Sequence, residues 1–143
     1  MKGILLGILA LVFVAPLASA RFTERKLGTS KEHAEKNGKL IAFVFYQGYA
    51  LPNCPKCIMR TNANNKALKS AITRADLVVI EIDPDDRGIE ELPSIVGGKG
   101  VRAPAVIVTD AKCEKVLTKL NGAPDRDAAK AFKTSVRELR GED

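Results

Sequence analysis

A chain of 143 residues, 45% apolar and 28% charged, has room for one domain with its own core, and its composition is not that of a disordered, fibrous or membrane-embedded protein. Three cysteines are too few for a disulfide-built scaffold. The net charge of +6 comes from basic residues mixed with acids along the chain, without a basic run or any Trp, which argues against nucleic acid as a partner.

Met1 and Lys2 form a short positive start, residues 4–17 an apolar stretch, and Ala18-Ser19-Ala20 a small-x-small site, so residues 1–20 read as a signal peptide cleaved before Arg21. Fourteen residues interrupted by Gly7 and Pro16 fall short of the roughly 20 that a bilayer core requires, so no stable membrane insertion is expected after cleavage. The expected location is a periplasm or the cell exterior, and residues 21–143 form a single domain. In such oxidising surroundings a closely spaced cysteine pair is expected to be oxidised at rest.

The charged segment 21–37 predicts a surface helix ending at Gly38. Residues 40–46 are a continuous apolar run, β-branched and aromatic, as in a strand buried on both faces; residues 77–82 are a second, stopped by Asp83-Pro84-Asp85-Asp86. Residues 55–73 are long enough for a crossover helix, making a right-handed parallel strand–helix–strand unit, with a kink expected at the poor helix formers 61–65. A further helix is expected over 90–96, then a hairpin of strands 105–108 and 115–120, the second near a sheet edge. Asp125 caps a last helix whose apolar stripe is Ala128, Phe132, Val136 and Leu139.

Cys54-Pro55-Lys56-Cys57 falls between the first buried strand and the crossover helix. Zinc would need about four ligands, and only Cys113 and His33 stand elsewhere, neither in a second paired motif, so no metal site is expected. At a helix start the free N–H groups and the dipole favour an anion, which stabilises a Cys54 thiolate. Cys54 is therefore the candidate nucleophile and Cys57, one turn further in and expected to be more buried, the resolving thiol. Pro55 suits the first helical position, and Lys56 adds a nearby cation; both are candidates for tuning the redox balance. Cys113 is expected some 20 Å or more away, as a turn cysteine without a role or one that pairs between molecules. His33 reads as a solvated side chain. The 83–86 segment lacks the spaced glycine and distal Glu of a calcium loop and reads as a turn.

From Lys39 to Arg140 the element order, the CxxC at the first strand-to-helix turn and Val101-Arg102-Ala103-Pro104 before a strand resemble the thioredoxin-like superfamily, specifically periplasmic domains related to disulfide-interchange proteins. The resemblance implies an α/β thioredoxin-like fold, with a central mixed four-stranded sheet flanked by helices and a cis bond at Ala103-Pro104. It also implies thiol–disulfide exchange with protein substrates and an unidentified redox partner, the substrate's extended chain being held beside Ala103 and Pro104, with no cofactor beyond the Cys54–Cys57 disulfide. The chain departs from the family pattern in four ways. Asn53 precedes the pair where thioredoxin has Trp, the 47–53 loop is longer, and Val44 and Val79 stand near the positions of thioredoxin's buried acid and following lysine. Those two groups assist proton movement in thioredoxin, so fast thioredoxin-like reduction is in doubt. Two alternatives stay open: a soft Cu(I) site made by the two thiolates, and a redox-inert interaction module with a structural disulfide.

Overall fold

The computed structural model describes residues 22–86 and 88–142; the expected signal peptide and its cleavage point before Arg21 lie outside them. All six residues of strand β1, Leu40–Phe45, are buried, because the strand is covered on both faces. Ile41, Phe43 and Phe45 point into one apolar layer with Phe22, Ala34, Ile80, Ile82 and Val96. Leu40, Ala42 and Val44 point into the other, with Leu68, Val106, Val108, Ala129, Phe132 and Val136. A run in which both alternating faces are buried has to be apolar throughout, which is why no period of two appears in it.

Helix α1 (Glu24–Asn37) precedes β1, and helix α2 (Pro55–Ser70) carries the chain from β1 to β2 (Leu77–Ile82). Strands β3 (Ala105–Thr109) and β4 (Val116–Asn121) then form a hairpin, and α3 (Arg126–Glu142) closes the fold. The sheet order is β2-β1-β3-β4, with β1 and β2 parallel and the other two pairings antiparallel. α1 lies against the Phe43 face, and α2 and α3 against the Val44 face. This mixed four-stranded sheet flanked by helices is the arrangement the resemblance implied.

Four expectations are corrected. α1 begins at Glu24, not Arg21, because Thr23 caps it, its hydroxyl accepting from the Lys26 N–H; the other end does stop at Gly38, in the left-handed conformation at φ 58°. α2 is one uninterrupted helix, because its asparagines bond outward to another segment and do not compete for the helix's own backbone. No α-helix forms over 90–96: Pro93, extended at ψ 136°, separates two short 3-10 turns, Ile89–Glu91 and Ser94–Val96. The α3 stripe runs through buried Ala129, not the exposed Ala128, whose N–H is instead used by the capping carboxylate of Asp125 at 2.7 Å. β4 lies at a sheet edge as expected, shifted by one residue.

Two polar clasps hold the two ends of the described residues. The Phe22 N–H donates to both oxygens of the buried Asp86 carboxylate, at 2.9 and 3.0 Å, and the Gly88 N–H donates to the same group at 2.7 Å. Gly88 passes so close to Phe22 that a Cβ there would stand 2.0 Å from the Phe22 carbonyl oxygen, so only glycine fits. Asp86 is therefore an anchor, a role that the turn reading of 83–86 did not include. At the other end Arg140 donates to the carbonyls of Gly38 and Ala75, at 2.6 and 3.0 Å, and pairs with Asp76 at 2.8 Å.

Candidate active site

β1 runs out at Phe45, and nine residues later Cys54 is the N-cap of α2. Cys54 is in the extended conformation, φ −108° and ψ 100°, and its sulfur accepts the Cys57 N–H at 3.2 Å. That is the place an N-cap oxygen would occupy, and the donor is one of the amides a helix start leaves unpaired. Pro55 fills the first helical position, where no N–H is missed. Cys54 and Cys57 form a disulfide, with Cα atoms 5.2 Å apart. Both are partly buried, so the expected contrast of a more buried Cys57 does not appear; Pro55 and Lys56 between them are exposed, which keeps the first turn of α2 at the surface. Lys56 is exposed, and no acidic residue lies in that turn.

Ala103-Pro104 is a cis peptide bond. Register places it: Ala105 pairs with Phe45, so the residues before Ala105 stand at the end of the sheet where β1 gives way to the cysteine loop. The Pro104 carbonyl is tied to the Gly122 N–H at 2.8 Å, which fixes the bond against β4. The sheet therefore brings Cys54, Pro55, Lys56, Cys57, Ala103 and Pro104 to one end.

Sequence reading missed how the 46–53 loop is held. Asn65 on α2 accepts the Gln47 N–H at 2.9 Å and donates to the Gln47 carbonyl at 3.0 Å, as a neighbouring strand would. Asn64 donates to the Gln47 side-chain oxygen at 2.9 Å, and the Tyr49 hydroxyl donates to Asn62 at 2.7 Å. Three asparagines taken for helix breakers thus clamp the segment that leads into Cys54. Tyr49, Leu51 and Met59 stay 54%, 59% and 71% exposed around the pair. Two cavities flank this end, one of about 900 Å³ between the loop, α2 and residues 83–86, the other of about 510 Å³ reaching from Phe45 and Gly48 to Val101 and Ala103. They share Tyr46, Gly48 and the 83–86 segment, and neither is lined by the cysteines.

Tyr46 donates its hydroxyl to Glu81 at 2.8 Å; burial, then that hydrogen bond and the Glu81 charge, push its pKa well above the usual phenol value. Cys113 sits beyond Thr109, at the far end of β3 from Pro104, as the distance argument required. It is buried, with φ 57°, and burial raises its thiol pKa, leaving it a protonated and shielded group that is poorly suited to pairing between molecules. His33 is exposed. Val44 is fully buried, in the apolar layer that also holds Leu40, Ala42 and Leu68. Among the described residues no three His, Cys, Asp or Glu side chains come together as a metal site, so a Cu(I) site would rest on the two cysteines alone. Nor is any described helix long and apolar enough to cross a membrane.

No protein-family model matches the chain, and no curated protein matches it. Among solved structures it is similar to the disulphide isomerase from Xylella fastidiosa Temecula1, at 18% identity and a TM-score of 0.46, over 89% of this chain and 95% of that one. Strand order β2-β1-β3-β4, a parallel β1–α2–β2 unit with the cysteine pair at its turn, and a cis-proline opening the strand antiparallel to β1 make this a thioredoxin-like fold.

Proposed function

We propose that the protein is a thiol–disulfide oxidoreductase that exchanges disulfides with protein substrates, working in the periplasm or outside the cell after removal of residues 1–20. The observation that carries this reading is the Cys54–Cys57 disulfide at the α2 N-terminus, its Cys54 sulfur already accepting a helix N–H. In the reduced protein that N–H, the helix dipole and Lys56 favour the Cys54 thiolate. The thiolate attacks one sulfur of a partner disulfide; the partner's S–S bond breaks, and its other sulfur leaves as a thiolate that takes a proton from solvent. Cys57 then gives up its proton and attacks Cys54 in the mixed disulfide, releasing the second partner thiolate and re-forming Cys54–Cys57. Two electrons pass to the partner, and the reverse sequence oxidises it. With Val44 and Val79 in place of charged groups, these protons come from and go to water. Ala103 and Pro104, at the same sheet end, supply backbone against which an extended substrate chain lies.

The test is chemical. The native disulfide should be reduced and re-formed reversibly against a glutathione series, and limiting iodoacetamide at pH 6 to 7 should label Cys54 of the reduced protein ahead of Cys57 and Cys113. A Cys57→Ser protein expressed in the native host should accumulate mixed disulfides on Cys54. Labelling of Cys57 first would reverse the roles, and a disulfide reducible only after unfolding would leave a structural bridge. Intact mass of the exported protein should correspond to a chain starting at Arg21.

A further inference from the structure

We propose that the face bearing the disulfide receives an extended acidic segment of a partner protein, with an apolar side chain beside the reacting cysteine. The reacting group is taken from the redox reading above; the surface argument stands on charge and exposure. α2 carries Lys56, Arg60, Lys66 and Lys69 and no acidic residue. Lys56, Met59 and Arg60 lie on its exposed arc, at spacings of three and four that make them neighbours. Across the cysteines Arg102, also exposed, directly precedes the cis bond. The described ion pairs are Arg74 with Glu81, Lys99 with Glu90, and Arg140 with Asp76, so Lys56, Arg60 and Arg102 have no carboxylate partner among the described residues.

The apolar part of this face is fixed in place. Tyr49 is bound to Asn62, the Leu51 carbonyl accepts the Cys54 N–H at 3.3 Å, and Met59 projects from a formed helix. Large apolar side chains held exposed around a reactive pair are a docking feature. Charge sets the direction of docking. Asp83 and Asp85 stand exposed at the end of β2, the edge strand, whereas Arg102 stands at β3 on the opposite side of β1. Charge beside 83–86 is mixed, since Lys66, Lys69 and Lys99 line the same cavities, so an acidic segment is drawn instead across the cysteines between Arg60 and Arg102.

The experiment uses two synthetic peptides, Asp-Leu-Cys-Asp and Lys-Leu-Cys-Lys within one neutral frame, each as its mixed disulfide with 2-mercaptoethanol. The reduced protein should react about three- to tenfold faster with the acidic peptide at low salt. The ratio should fall toward one at about 0.5 M salt. An Arg60→Glu/Arg102→Glu protein should lose or invert the preference when each peptide rate is divided by the rate with uncharged hydroxyethyl disulfide, a ratio that cancels any change in the Cys54 thiolate itself. Equal rates with both peptides, or a preference that survives in the double variant, would overturn the proposal. Anisotropy with Ser-for-Cys peptides reads the same preference without exchange, so it decides the surface even if no disulfide reacts and the redox reading falls. Cosedimentation with vesicles of about 30 mol% phosphatidylglycerol, without peptide discrimination, would assign the basic face to lipid and overturn it as well.

Discussion

Asn65→Asp isolates the clamp on the cysteine loop. The substitution keeps shape and the acceptor for the Gln47 N–H, but sets a carboxylate oxygen against the Gln47 carbonyl where an amide N–H donated at 3.0 Å. One hydrogen bond is lost and a repulsion gained at a partly buried site, together about 2 kcal/mol, or roughly thirtyfold in the opening equilibrium of the loop. The clamps from Asn62 and Asn64 remain, so the loss is local. Amide exchange at Gln47, whose N–H is the one Asn65 holds, should speed up by about that factor relative to wild type at pH 7, while the melting temperature moves little. Protonation gives the aspartic acid an O–H that can donate to the Gln47 carbonyl, so its folded pKa is raised above the ordinary value of about 3.9. The sign follows: the stabilising donor is fully present below about pH 3.9 and is lost as the pH rises through the raised value, so protection should recover on acidification. Asn65→Leu should show the same loosening without the recovery. Wild-type protection in Asn65→Asp at pH 7, or no acid recovery, would refute the clamp.

Lys56→Glu should make the protein more reducing by roughly 10 to 40 mV in a low-salt glutathione titration, because it replaces attraction for the Cys54 thiolate with repulsion; an unchanged or more oxidising value would mean the side chain does not act on the sulfur. Arg140→Met leaves the Asp76 carboxylate, whose side chain is only 9% exposed, without its partner and frees two carbonyls; after discount for the partly exposed Arg140, a loss of about 2 to 3 kcal/mol is expected in urea denaturation. Tyr46, its pKa raised chiefly by burial and then by Glu81, should ionise late, so tyrosinate absorbance should stay incomplete past pH 10 and the late component should vanish in Tyr46→Phe. With the folded pKa above the unfolded one, the stability this tyrosine contributes is present below about pH 10 and lost as the pH rises further.

What could be read in advance was whatever one segment decides for itself. The apolar run at Leu40–Phe45, the CxxC after it and the proline before Ala105 each carry their meaning locally, and together they marked out the candidate site. Partners far apart in sequence were illegible. Asn64 and Asn65 look like poor helix formers until Gln47, seventeen and eighteen residues earlier, takes up their polar atoms. Asp86 looks like one acid among several in a turn until the Phe22 N–H arrives from 64 residues away. The one-residue error on α3 was a matter of phase: Ala128 and Ala129 are equally apolar, and only packing against the sheet selects Ala129. The short turns around Pro93 failed as a helix for a local reason that was visible, since proline fixed the break.

The clasp of Phe22 on Asp86 bears on how this protein is best handled at a surface. Asp86 lines both cavities at the cysteine end, so Phe22, held to it, stands at that end of the domain. Arg140 is fastened to Gly38 and Ala75, which flank the starting ends of β1 and β2, at the opposite pole. A bead attached near Arg140 therefore points the disulfide outward toward whatever is in solution, whereas one attached near Phe22 crowds the approach to it.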